Sequence, residues 1–164
     1  SLFEKGNKQP QESISNFCKK IKIGKKNKLT EDFMIIARIE SLIMSKPMSD
    51  ALKRASAYIK AGVDGIMIHS KSKKPNEILN FAKEFRKNKK YDKIPLICVP
   101  STYNQIYDYK LKKAGFNVVI YANHIMRSSI PSMEKTASLI LKYGRTYEVE
   151  KKITSISKIL NYLN

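Results

Sequence analysis

A chain of 164 residues is long enough for one domain with its own core, yet well short of the roughly 250 residues of a complete α/β barrel. A hydrophobic content of 42% and mean hydropathy of −0.40 suit a soluble protein. No apolar run approaches the ~20 residues that span a bilayer, so neither a membrane span nor a signal peptide is expected. The net charge of +18 raises nucleic acid as a partner, but the cations are almost all lysine, arginine being confined to Arg38, Arg54, Arg86, Arg127 and Arg145. Specific readers use the planar guanidinium together with exposed aromatics, so a scattered lysine surface implies only non-specific attraction to polyanions. A basic polyanion-binding protein remains the alternative from another functional class.

The chain opens at Ser1 without a methionine, which suggests a processed chain or a fragment, and residues 1–7 show little periodicity. Residues 11–23 carry Ile14, Phe17, Cys18 and Ile21 at helical spacing, and a Lys-rich linker over 24–29 follows. A first strand is expected over 32–38, where an apolar run too short for a buried helix meets Arg38 and Glu40. A helix beginning near Asp50 runs to the stop at Gly62. The pattern then recurs: strand 65–70 ending in His69-Ser70, helix 76–85, linker 86–93, strand 95–99 ending before Ser101-Thr102, helix 106–113 stopped at Gly115, and strand 117–121 ending before Asn123-His124. A helix over 128–142 and a tail with Ile153, Ile156, Ile159, Leu160 and Leu163 on one face complete the chain. Cys18 and Cys98 lie in different segments and read as reduced, buried thiols of a cytoplasmic protein.

Strand–helix units in this order predict parallel strands joined by right-handed crossovers. Each strand ends in a polar residue at the same end, where ligands sit in parallel α/β folds. Arg38, His69, Ser101 or Thr102, and Asn123 or His124 are therefore expected to converge. Arg38 supplies a donor fork for phosphate or carboxylate, and His69 a hydrogen bond or proton near neutral pH. The competing structural readings are an Arg38–Glu40 ion pair and a His69 ring satisfied by backbone. Of the acidic residues only Glu40 lies near these strand ends, so no divalent metal site is built from the chain alone. No Gly-rich phosphate loop, zinc-type Cys/His spacing or nucleophile elbow occurs.

The run from Glu31-Asp32-Phe33 to Ala37-Arg38-Ile39-Glu40 carries the first part of a family resemblance. Asp50-Ala51-Leu52-Lys53-Arg54-Ala55, Ile68-His69-Ser70-Lys71, Val99-Pro100-Ser101-Thr102-Tyr103 and Ala122-Asn123-His124 continue it. Together they resemble the phosphoenolpyruvate mutase family of the isocitrate lyase superfamily, in order and over essentially the whole chain. The resemblance implies an α/β fold: the C-terminal half of a TIM-type barrel, strands five to eight with their helices, over residues 1–145. It implies a C-terminal packing helix over 146–164 exchanged between subunits of a homodimer or homotetramer. It also implies a Mg²⁺-dependent isomerase interconverting phosphoenolpyruvate and phosphonopyruvate, in which Arg38 and His69 are catalytic. Ser1, Arg38, His69 and Asn123 would contact substrate, and Ser1 and Leu2 would end a gating loop. The family's metal-binding carboxylates correspond to positions upstream of Ser1, so the chain alone is expected to be inactive. Phosphonopyruvate hydrolase and a carbon–carbon lyase of the same superfamily are the enzymatic alternatives.

Overall fold

Ser13 sets the start of the first helix, its Oγ accepting the backbone N–H of Asn16 at 3.1 Å and so satisfying one of the orphan donors of the first turn. The helix α1 spans Ile14–Asn27, beginning later than the periodicity alone suggests and absorbing most of the expected Lys-rich linker. Lysine is a good helix former, and Lys25 gains a partner here, pairing with Asp64 at 2.6 Å. A computed structural model describes residues 10–162 of the chain. In it the chain divides into two compact units, one ending at Ala122 and the other beginning at Asn123.

In the first unit β1 (Ile36–Ile39), α2 (Met48–Lys60), β2 (Gly65–Ile68), α3 (Asn76–Arg86), β3 (Leu96–Cys98), α4 (Asp108–Lys113) and β4 (Val118–Val119) follow one another. All strand pairs are parallel and the order is β1-β2-β3-β4. Each strand is added beside its predecessor on the same side, as in a barrel segment, with none of the reversal that marks a doubly wound sheet. The expected strand over 32–38 starts only at Ile36. The carboxylate of Asp64 takes the Ile35 N–H at 2.7 Å, and Phe33 and Met34 before it are exposed. The expected linker over 86–93 likewise contains the end of α3 and a 3₁₀ turn at Lys89–Tyr91.

Strand residues alternate between two faces. Ala37, Ile39, Ile66, Ile68, Leu96 and Cys98 join the core with Ala51, Ala55, Ile78, Phe81 and Phe85 of α2 and α3. The register places Arg38, Met67, Ile97 and Val118 in one row on the other face. Helix stops at Gly62 and Gly115 use φ of 103° and 100°, conformations that glycine adopts without strain.

The second unit holds α5 (His124–Tyr143), α6 (Tyr147–Glu150) and α7 (Ile156–Leu160). The helix α5 starts before the expected residue 128, because Asn123 adopts φ 55° and asparagine tolerates that left-handed turn. Where a packing helix over 146–164 is expected, the described residues form two short helices, α6 and α7, the latter capped by Ser155; Leu163 lies outside the described residues. Among the described residues, no helix is long and apolar enough to cross a membrane.

Candidate active site

β1 carries Arg38 to the carboxyl end of the sheet. Because Ala37 and Ile39 are drawn into the core, alternation puts Arg38 and, two residues on, Glu40 on the opposite side. Arg38 Nη2 and Glu40 Oε1 meet at 2.8 Å, with side-chain exposures of 46% and 45%. A half-exposed pair of this kind contributes about 0–1 kcal/mol. It therefore holds the guanidinium in place while leaving its other donors free to meet an anion.

His69 directly follows β2 and is only 5% exposed. Its Nδ1 is buried without a hydrogen-bond partner, which rules out a ring fully satisfied by backbone. Leaving such an atom unpaired costs about 1–3 kcal/mol. Burial pushes the imidazole below its ordinary value of 6.5, the nearby Arg38 charge pushes the same way, and Glu40 opposes both. His69 is thus neutral near pH 7 and electrostatically coupled to both members of the ion pair.

The loops behind these residues are cross-tied. Thr102 Oγ1 donates to the Ser70 carbonyl at 2.8 Å, and the Ser70 hydroxyl donates to Glu77. Lys71 Nζ reaches Ser45 Oγ at 2.8 Å, joining the loops after β1 and β2. The Thr102 hydroxyl is thereby committed to holding the turn beside His69. Asn123 is the first residue of the second unit and precedes α5, its carbonyl accepting the Arg127 N–H at 2.8 Å. Ser1 and Leu2 lie outside the described residues.

Sequence reasoning missed a buried network on the helix side of the same strand end. Ser41, fully buried, donates to Asp50 Oδ2 at 2.7 Å and accepts from Gln11 Nε2 at 3.2 Å. Arg54 Nε reaches the same carboxylate oxygen at 3.0 Å, and its Nη1 donates to the Glu12 carbonyl at 2.8 Å and Tyr58 Oη at 3.0 Å. A cavity of about 300 Å³ lies against Arg38, Glu40, Arg54, Tyr58 and Gln11. The one sequence signal was the spacing of Asp50 and Arg54, four apart on one helix face.

The donor set at this end does not fit Mg²⁺, which takes carboxylates and water in an octahedral shell. Glu40 is the carboxylate beside Arg38 and is already paired with it. Among the described residues, no group of three or more His, Cys, Asp or Glu could hold a metal ion.

An anion-ready arginine beside a neutral, buried histidine on half a barrel is the geometry with which known proteins can be compared. Residues 3–141 match the family described as phosphoenolpyruvate phosphomutase. The phosphoenolpyruvate phosphomutase of Tetrahymena pyriformis is 36% identical over 159 residues, covering 97% of this chain and 51% of the relative. The crystal structure of phosphoenolpyruvate phosphomutase from Streptomyces platensis subsp. rosaceus superposes with a TM-score of 0.87 at 36% identity, covering 98% of this chain and 54% of that one. A phosphonopyruvate hydrolase crystallised with oxalate and Mg²⁺ gives 0.83 at 31% identity, covering 95% and 54%. The chain spans about half the length of the relatives it matches, so its four parallel strands are half of a barrel. With the match running through every strand and through both Arg38 and His69, the chain belongs to the phosphoenolpyruvate phosphomutase family.

Proposed function

We propose that this chain is half of an isomerase that interconverts phosphoenolpyruvate and phosphonopyruvate. The observation that carries the reading is the Arg38–Glu40 pair facing a buried, neutral His69 with an unpaired ring nitrogen. In the forward direction the P–O bond of phosphoenolpyruvate breaks to leave pyruvate enolate, and the enolate C3 takes the phosphoryl group to form the P–C bond. Such a loose transfer asks the protein for positioning and charge stabilisation more than for covalent chemistry. Arg38 anchors the anionic end of the substrate, and His69 hydrogen-bonds the phosphoryl group as it moves. Ser1 with Leu2 belongs to the closing loop. A divalent ion, such as the Mg²⁺ bound with oxalate in the related hydrolase, would neutralise developing oxyanion charge; its carboxylates are not among the described residues.

The segment 146–164 is exchanged between subunits of a homodimer or homotetramer. The exposed Ile156, Ile159 and Leu160 support this, being an apolar stripe that needs a covering surface. Two free cysteines suit a reducing compartment, the cytoplasm.

The test is Arg38→Ala in the intact protein at fixed ionic strength, with phosphonopyruvate binding measured by calorimetry. Loss of binding is expected, since a guanidinium fork on a dianion is a strong charge-assisted contact. Retained binding would overturn the assignment. Fixed salt matters because the +18 charge attracts any polyanion, nucleic acid included, in a way that fades by ~200 mM salt. The likeness to phosphonopyruvate hydrolase favours one second reading, transfer of the phosphoryl group to water. Release of inorganic phosphate from phosphonopyruvate in the same assay separates the two.

A further inference from the structure

The polar network behind β1 is far more elaborate than packing a helix on a strand requires. Ser41 immediately follows Glu40, and alternation sends Ser41 to the helix side while Glu40 and Arg38 face the other. Ser41 is fixed from two directions, by Asp50 at 2.7 Å and by Gln11 at 3.2 Å. Asp50 is held in turn by Arg54, and Arg54 is pinned by the Glu12 carbonyl and Tyr58 Oη. The network therefore joins the chain before α1, the exit of β1 and the first turns of α2 at one point, and of its members Gln11, Glu12, Arg54 and Tyr58 line a cavity with Arg38 and Glu40.

We infer that Ser41, Asp50 and Arg54 are positioning residues for the Arg38–Glu40 pair, fixing the direction of the strand exit so that the guanidinium meets the substrate anion at a set angle beside His69. The charges within the network are arranged for permanence. Burial works to raise the Asp50 carboxyl, but the hydrogen bonds from Ser41 and Arg54 outweigh it and leave Asp50 below its ordinary value. Burial likewise works to lower Arg54, and Tyr58 and Asp50 outweigh it. Neither group changes charge across the neutral range, so the link from α2 to Ser41 is a fixed strut. Geometry held this tightly matters, because misplacing a substrate-binding group by about 1 Å can cost about a hundredfold in rate. The inference rests on the reading of Arg38 as the anion anchor.

The experiment compares Ser41→Ala with Ser41→Thr in the intact protein. Two quantities are measured: the affinity for oxalate with Mg²⁺ by calorimetry, and the titration of the His69 ring by NMR, assigned through its loss in His69→Gln. Ser41→Ala should weaken oxalate binding about tenfold. It should also shift the His69 midpoint, because Arg38 and Glu40 act on that ring in opposite directions and no longer balance as before. Ser41→Thr, which keeps the hydroxyl, should restore both. An unchanged His69 titration in Ser41→Ala overturns the inference whatever the affinity does. So does equal damage in both variants, which would assign the effect to packing. Wild-type protein that ignores oxalate would refute the anchor role of Arg38, while the His69 titration would still decide whether the network positions the pair.

Discussion

His69 is the residue where stability and chemistry pull in opposite directions. Its ring is held below the ordinary value of 6.5 by burial first and by Arg38 second. In the unfolded chain the ring takes up a proton below about pH 6.5, whereas the folded ring resists until a lower pH. The unfolded state then binds more protons, so folding stability is lost as pH drops below about 6.5, and the loss levels off once the folded ring also protonates. His69→Gln should flatten this part of the stability–pH curve, measured by urea unfolding between pH 7 and 5. An unaltered slope would mean that the ring is not shielded as described. Asp50 and Asp64, both below their ordinary 3.8, contribute stability that is lost only in a more acid window, so the two effects can be resolved. At this scale the sequence showed which residue would sit at the strand end. It could not show that Nδ1 would be left unpaired, because that depends on what burial brings around the ring.

The elements divide their labour between the two ends of the sheet. At the amino ends of β3 and β4, Arg86 of α3 donates to the carbonyls of Tyr91 at 2.6 Å, Ile94 at 3.0 Å and Gly115 at 2.7 Å, and to Asn117 Oδ1 at 2.7 Å. Asn117 Oδ1 in turn accepts the Leu96 N–H at 2.9 Å, so one guanidinium fastens the entries of two neighbouring strands. Arg86→Met leaves several carbonyls unpaired and should cost about 2–4 kcal/mol of stability. A fall in the urea midpoint without a change in slope would show this, and substrate affinity should stay unchanged because Arg38 and His69 lie at the other end. A loss below about 0.5 kcal/mol would mean that water replaces the clamp. The sequence made the helix and both strands legible through periodicity, but it read Arg86 as the start of a linker. Its partners at the entry of β4, Gly115 and Asn117, are 29 and 31 residues away, a separation that leaves no periodic signal. The network of Ser41, Asp50 and Arg54 was hidden for the same reason, apart from its single turn of helix spacing.

The sheet of the first unit is covered by helices on one face and only in part on the other, where Ile97 is buried but Arg38 and Val118 are exposed. Parallel sheets are stable when both faces are covered, and here α2 and α3 bury one face. On the other face the row of Arg38, Met67, Ile97 and Val118 includes an exposed Arg38 and a Val118 that is 44% exposed, with Ile120 beyond it at 38%. In a closed barrel these positions fill the interior in layers contributed by alternate strands, so four strands can supply only part of each layer. The site inherits the same incompleteness. In the proposed reading Arg38 and His69 would supply an anion anchor and a neutral hydrogen-bonding group, while no cluster of three or more His, Cys, Asp or Glu able to hold a metal ion occurs among the described residues. The 164-residue chain purified by itself should therefore form no phosphonopyruvate or pyruvate from phosphoenolpyruvate and Mg²⁺, followed by phosphorus NMR over hours. Turnover by the isolated chain would show that Arg38 and His69 suffice without a metal-bearing half. It would also require two copies of the sheet to close on each other, because an open sheet face cannot exclude the water that would intercept a migrating phosphoryl group.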